Sequence, residues 1–229
     1  MNDEEGNVGG IVAEVNRVLA ELGRKADIIL VDDGSRDGTA SEIKEAVLKH
    51  PNIICLTHPG NAGFGAAIQS AISEAVERDY EFAVFMDADL TMHPGYIRHF
   101  YEKMAEGYDF VIGSRFIPGG GMKDVPAWRK LFSLVGRMIF QASFRLPLTD
   151  YTQGFRAIRG HVLAKMKLTE DGFPILVEQI YRARRITDKF AEIPFILTTR
   201  KMGSSKFNYT PGVIWDYLKY ALRSVTIGG

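Results

Sequence analysis

Hydrophobic positions recur at two different periods along the first half of the chain. Over residues 8–22, Val8, Ile11, Val12, Val15, Val18, Leu19 and Leu22 fall at helical spacing and predict an amphipathic helix. Ile28, Ile29, Leu30 and Val31 form a short apolar run that stops at Asp32-Asp33-Gly34, as a buried strand does where it feeds a loop. The alternation continues with a helix over 39–49, a strand over 52–57, an Ala-rich helix over 63–76 and a strand over 81–86. Pro94 opens a further helix, and 108–113 reads as one more strand. Strands that alternate with helices predict the α/β class: a mostly parallel central sheet, Rossmann-like, with helices on both faces.

The second half is less regular. Pro118-Gly119-Gly120-Gly121 has the composition of a loop, and 126–144 reads as a helix rich in Trp, Phe, Leu and Met. A helix over 175–184, a strand over 190–198, a mobile segment at 201–206 and an aromatic helix over 211–223 follow. The expected organisation is one domain over 1–229, with a ligand-binding half at 1–115 and a second half at 116–229 that carries the amphipathic helices.

Composition removes several classes. With 229 residues and 46% hydrophobic residues, the chain is long enough to bury a real core. Cys55 is its single cysteine, which excludes a disulfide framework and a Cys-rich zinc site. No stretch approaches the roughly 18–20 apolar residues that span a bilayer, and the acidic start Met1-Asn2-Asp3-Glu4-Glu5 is no signal peptide. A soluble or peripheral protein is therefore expected. The 28 Lys+Arg and 28 Asp+Glu cancel, yet the first 50 residues hold 11 acids and 6 bases, leaving the remainder five positive charges in surplus. Residues 125–149 carry Arg129, Lys130, Arg137 and Arg145 and no acid, so one face is suited to anions. A global basic patch for nucleic acid is missing.

Candidate chemistry sits at three predicted loop–element junctions, where α/β sheets bind ligands. Asp32-Asp33-Gly34-Ser35-Arg36-Asp37-Gly38-Thr39 offers carboxylates that accept from ribose hydroxyls or base N–H groups; the competing reading is an Asp-rich turn with Asp37 or Thr39 capping the next helix. Asn61-Ala62-Gly63-Phe64-Gly65-Ala66-Ala67 reads either as a phosphate cradle or as glycines that permit close packing. Asp87-Ala88-Asp89 is the sharpest signal. In extended chain, residues i and i+2 point the same way, so both carboxylates converge on one hard cation, Mg²⁺ or Mn²⁺. His93 reads as a surface residue at a helix start rather than a metal neighbour.

The order DDGSRDGT, NAGFGAA, MDADL and Gly113-Ser114-Arg115-Phe116 resembles family 2 glycosyltransferases with the A-type nucleotide-sugar fold. The segments GSRFIPGGG, WRKLFS, TDYTQGFRA and RKMGSSKF are similar to those of polyprenyl-phosphate glycosyltransferases, dolichyl-phosphate mannose synthases in particular. The resemblance implies an inverting, metal-dependent enzyme that moves one sugar, mannose from GDP-mannose, onto a polyprenyl phosphate. UDP-glucose as donor and an inactive nucleotide-sugar or lipid-phosphate binding protein are the alternatives. It further implies that Asp32 and Asp33 contact the nucleoside, with Glu4 within reach. Asp87, Ala88 and Asp89 would meet the donor diphosphate, with Asp87, Asp89 and Thr91 at the metal and Asp89 its principal ligand. Arg115, Arg129 and Ser133 would hold the acceptor phosphate, and Arg200, with Ser205 and Lys206, would close over the donor. Asp89, Arg115 and Arg200 are the catalytic candidates. Thr91 stands where the family usually has Gln. The hydrophobic strand that usually precedes the segment Asp3-Glu4-Glu5-Gly6-Asn7 is absent ahead of Met1, which suggests a shortened start. The Trp128, Phe132, Met138, Phe140 and Phe144 stripe and the last helix, with Trp215, Tyr217 and Tyr220, suggest contact with an anionic membrane surface. The expected place is the cytoplasmic face of a membrane, with a separate anchoring subunit as a candidate partner.

Overall fold

The computed structural model describes residues 1–198 and 210–225, with the side chain of Arg129 outside the description. The predicted alternation is present. Helix α1 (Val8–Glu21) is followed by β1 (Ile28–Asp32), α2 (Thr39–Lys49), β2 (Ile53–Thr57), α3 (Phe64–Glu77) and β3 (Phe82–Phe85). A 3₁₀ turn (Pro94–Tyr96) leads into α4 (Ile97–Ala105) and β4 (Phe110–Ser114). The later elements are β5 (Gly121–Met122), α5 (Ala127–Phe144), β6 (Arg156–Arg159), α6 (Gly160–Lys165), α7 (Ile175–Ala183), β7 (Phe190–Pro194), β8 (Ile196–Leu197) and α8 (Pro211–Val225).

The periodic positions of α1 form the buried face, because Val8, Ile11, Val12, Val15, Val18 and Leu19 recur every third or fourth residue and meet β1 and α2. The apolar run of β1 packs on both faces. Ile28 and Leu30 join the cluster under α1, whereas Ile29 joins the larger cluster under α3 and α7. A strand covered on both sides has no polar face to alternate with, which is why it reads as an unbroken hydrophobic run.

Parallel pairing dominates, but the sheet is not one continuous ladder. β1 and β2 pair in parallel, from Ile28 opposite Ile53 to Asp32 opposite Thr57. Four strands form a second piece in the order β3–β6–β4–β7. In it β4 and β7 are parallel, and β6 runs antiparallel to both β3 and β4. Between β1 and β3 lies a slot, lined from one side by Ile28–Val31 and from the other by Phe82–Met86. The segment that follows Gly154 is a central strand, β6, with Ala157 and Ile158 fully buried. The single strand expected over 190–198 is instead two, β7 and β8, with Phe195 between them. Beyond β5 the helix α5 buries only its last turns, through Phe140 and Phe144. Trp128, Leu131, Phe132 and Met138 stay exposed. Helix α8 packs on α5 and leaves Trp215, Leu222 and Val225 exposed.

Candidate active site

The two acids after β1 are turned inward on their own loop. Asp32, 3% exposed, accepts from the backbone N–H and the hydroxyl of Ser35 through one oxygen, at 3.0 and 2.6 Å. Asp33 accepts from the N–H groups of Ala62 and Gly63, at 2.8 and 3.0 Å, and pairs with His58 Nδ1 at 2.7 Å. Burial pushes this carboxyl upward, but those two backbone bonds and His58 outweigh it and hold it below the ordinary range. His58 Nε2 in turn meets Ser70 Oγ at 2.9 Å, which ties the loop to α3. Gly34 is required here. Its φ is +66°, and a Cβ would stand 2.4 Å from the backbone of Gly60. Asp37 accepts from the Thr39 N–H and hydroxyl and so caps α2, as the turn reading of this loop expected.

The glycine-rich segment is not a phosphate cradle. The Gly65 N–H donates to the carbonyl of Asp171 at 2.7 Å, and a Cβ on Gly65 would lie 2.1 Å from the Glu170 carbonyl oxygen. Phe64 stacks on Phe173 with centroids 4.7 Å apart. The glycines therefore admit another loop of the protein, and its carbonyl takes the helix-terminal donors a phosphate would use.

Asp87-Ala88-Asp89 departs from the extended geometry expected of it. β3 ends at Phe85, and the motif enters a turn closed by Leu90 at φ +58°. Asp87 and Asp89 are therefore placed by this turn, not by strand alternation. Both line the same cavity of about 1280 Å³, as does Ala88. Asp89 is 5% exposed, and its Oδ1 accepts from the Thr91 N–H at 3.0 Å and the Thr91 hydroxyl at 2.6 Å. Thr91 thus spends its proton on Asp89. His93 is exposed, and its ring accepts from the Gly95 N–H at the start of the 3₁₀ turn, so it is a surface cap.

The opposite wall comes from the end of β4 and from α5. Arg115 meets Asp150 through Nε and Nη2, at 2.7 and 2.8 Å, and Thr152 Oγ1 at 3.0 Å. This is a two-pronged ion pair with Asp150 1% exposed, which fixes the plane of the guanidinium. The turn carrying Asp150 is itself held by Glu192 of β7, whose Oε1 accepts from the N–H groups of Thr149 and Asp150 at 2.7 and 2.9 Å. Burial raises the Glu192 carboxyl above its usual value. At the start of β6, Arg156 is fully buried and bonds to the oxygens of Gln153, Leu176 and Gln179; burial pushes it down to about 9.

Of the residues singled out in the sequence, the cavity brings together Glu4, Asp33, Asp87, Ala88, Asp89, Thr91, Arg115 and Ser133. Asp32 stands behind it, engaged with Ser35. The Arg129 side chain, Arg200, Ser205 and Lys206 lie outside the described residues, as does the segment 201–206. Thr198, the last described residue before Arg200, donates its hydroxyl to the Thr91 carbonyl at 3.3 Å. His58, Asp150, Asp171 and Glu192 had no signal of their own in the sequence. Asp150 alone sat inside a quoted motif, TDYTQGFRA.

Residues 9–166 match Glycosyl transferase family 2, well over half of the chain. The chain belongs to that family. It is a glycosyltransferase. Among its relatives, the undecaprenyl-phosphate mannosyltransferase of Micrococcus luteus is 31% identical over 204 residues, 85% of this chain and 84% of that protein. The polyprenol monophosphomannose synthase of Mycolicibacterium smegmatis is 31% identical over 211 residues, 90% of this chain and 78% of that protein. The glucosyl-3-phosphoglycerate synthase of Mycobacterium tuberculosis, solved with phosphoglyceric acid, superposes with a TM-score of 0.73 at 14% identity, over 99% of this chain and 78% of that one. That likeness shows a shared fold. The same synthase has also been solved with Mn²⁺ and uridine diphosphate.

Proposed function

We propose that this family 2 enzyme transfers one mannose from GDP-mannose to a polyprenyl phosphate, with inversion at the anomeric carbon. The carrying observation is that the Asp87–Asp89 turn and the Arg115–Ser133 wall face one cavity. Residues 1–115 would supply the donor side and 116–229 the acceptor side. The relatives named as mannosyltransferases of undecaprenyl and polyprenol phosphates support the mannose and the lipid phosphate.

The residues fit a divalent cation of modest protein ligation. Among the described residues no three His, Cys, Asp or Glu side chains cluster as a closed metal cage. Two carboxylates at a cavity suit Mg²⁺ or Mn²⁺, which keeps water and takes its other ligands from substrate phosphates. When bound, the ion would neutralise charge on the departing diphosphate. Asp89 would be its principal ligand and Asp87 the second. Thr91 would aim Asp89 rather than ligate directly.

The acceptor phosphate is ionised at neutral pH, so no strong general base is needed. One of its oxygens forms the bond to the anomeric carbon while the bond from that carbon to the diphosphate oxygen breaks. The electron pair leaves with GDP. Arg115, oriented by Asp150 and Thr152, would steer the acceptor phosphate together with Ser133 and Arg129, and positioning of this kind is worth several orders of magnitude. Glu4 and Asp33 would border the nucleoside, Asp33 by shaping the loop. Arg200 and Lys206 would cover the donor.

The exposed apolar residues of α5 and α8, with Lys130 beside them, would lie on the membrane that carries the acceptor. No described helix is long and apolar enough to cross one. The test is a transfer assay with radiolabelled GDP-mannose and UDP-glucose and a polyprenyl phosphate in vesicles. Label should enter the lipid from GDP-mannose only. Label from UDP-glucose alone would assign the other donor, and none from either would reject the reading.

A further inference from the structure

Tyr217, Tyr220 and Ser224 recur at helical spacing and form the inner face of α8. The two tyrosine rings join the large cluster under α3 and α7, and both hydroxyls reach past it to one short loop, residues 169–173. Tyr220 donates to Glu170 Oε1 at 2.6 Å, and Lys219 Nζ meets the same oxygen at 2.8 Å. Tyr217 donates to the Phe173 carbonyl at 3.0 Å. From α7, the fully buried Glu178 accepts from the N–H groups of Thr169 and Glu170 at 2.9 and 3.0 Å. Burial pushes this carboxyl upward, yet the two backbone bonds and Arg182 outweigh it and hold it below the ordinary range. Held from two helices, the loop is a strut.

The far end of the strut is the site. The Asp171 carbonyl takes the Gly65 N–H at 2.7 Å, Gln69 Nε2 donates to the Glu170 carbonyl at 3.2 Å, and Phe173 stacks on Phe64. Just ahead of Phe64, the Ala62 and Gly63 N–H groups hold the two oxygens of Asp33. Asp33, Gly63, Phe64 and Phe173 all line the cavity. From the Tyr220 hydroxyl to the Asp33 carboxylate, the path crosses only hydrogen bonds and short spans of chain. A shift of the loop would therefore move the N–H groups that fix Asp33, and displacements well under the length of a hydrogen bond matter where a ligand is positioned.

We propose that Tyr217 and Tyr220 of α8 are positioning residues for the nucleotide donor, acting through the 169–173 loop on Ala62, Gly63 and Asp33, a role that rests on Asp33 bordering the nucleoside. The outer face of α8 carries the exposed Trp215 and Leu222, so donor affinity becomes sensitive to a helix that projects away from the site. By reciprocity, a bound donor makes α8 harder to displace.

The test uses the full chain carrying Tyr217→Phe and Tyr220→Phe together, which keeps both rings and removes only the hydroxyls. Val18→Ala, in the cluster under α1 and apart from the loop and α8, is the control for lost stability. Without nucleotide, amide exchange at Ala62, Gly63 and Gly65 should speed about fivefold or more in the double variant. Calorimetric titration of GDP with Mn²⁺, and of UDP in parallel, should show binding about fivefold weaker. The donor KM should rise by a similar factor while the acceptor KM stays within about twofold of the parent. Val18→Ala should melt lower yet leave the amides and the affinity within about twofold of the parent. Amides and affinity unchanged in the double variant, or moved equally by Val18→Ala, would overturn the proposal. Faster amides with unchanged affinity would reduce the loop to a brace and overturn it as well. A parent that binds neither GDP nor UDP would reject the proposed function, whereas the amides would still decide whether α8 holds the Asp33 wall.

Discussion

Two strands of this glycosyltransferase end in paired acids, and the pairs are used in opposite ways. At the end of β1, Asp32 and Asp33 accept from Ser35, Ala62, Gly63 and His58, all of which belong to the surrounding loops. At the end of β3, Asp87 and Asp89 line the cavity, and Asp89 is steadied by one hydroxyl and one N–H of Thr91. The first pair builds the wall of the site and the second faces the cavity. Acids after a strand are therefore a signal of position. Their hydrogen-bond partners decide whether they hold the chain together or act on a ligand.

Substitutions should separate the two pairs. Asp89→Ala should lower the transfer rate by about 10³-fold or more while melting stays within about 2 °C of the parent; a rate within tenfold of the parent would merge the pairs into one structural class. Next in size is Asp150→Ala, which leaves the half-buried Arg115 fork without its carboxylate. It should cost about 3 kcal/mol in urea unfolding and depress kcat/KM for the acceptor more than for the donor. Gly65→Ala forces a Cβ against the Glu170 carbonyl and should destabilise by about 2 kcal/mol.

The β1 pair should reveal itself in acid. The Asp33 carboxyl is held below its ordinary 3.8, so the stability it contributes is fully present above that value and drains away as pH falls through the depressed one. Asp33→Asn should flatten the acid limb of the stability profile and lower stability at pH 7 by about 1–2 kcal/mol. An unchanged acid limb would remove Asp33 from the loop's support. The smallest effect belongs to Thr91→Val, which frees Asp89 Oδ1 from the hydroxyl and should slow transfer about tenfold, mainly through the metal concentration needed for half-maximal rate.

Much of this was legible in the residues. The helical spacing of α1, the run of β1 and the punctuation by Asp-Gly and Asn-Ala-Gly follow from periods and turn chemistry that act locally. Other features were not local. The Gly63–Gly65 segment read equally as a phosphate site or as close packing because the partner that decides it, the loop around Asp171, lies more than a hundred residues away. β6 was hidden because Arg156, charged and fully buried, interrupts the apolar pattern of a central strand. Separation along the chain likewise kept Asp150 and Glu192 out of the predicted site. They act on Arg115 only once β4 and β7 lie side by side. Asp87 and Asp89 were expected in extended chain, whereas the structure places them in a turn after β3.

Calorimetric titration of GDP into the parent, Asp89→Ala and Asp33→Asn chains, each with and without Mn²⁺, tests the central assignment most directly. The account predicts Mn²⁺-dependent binding in the parent and in Asp33→Asn, and loss of the Mn²⁺-dependent part in Asp89→Ala. Unchanged, Mn²⁺-dependent binding in Asp89→Ala would contradict it.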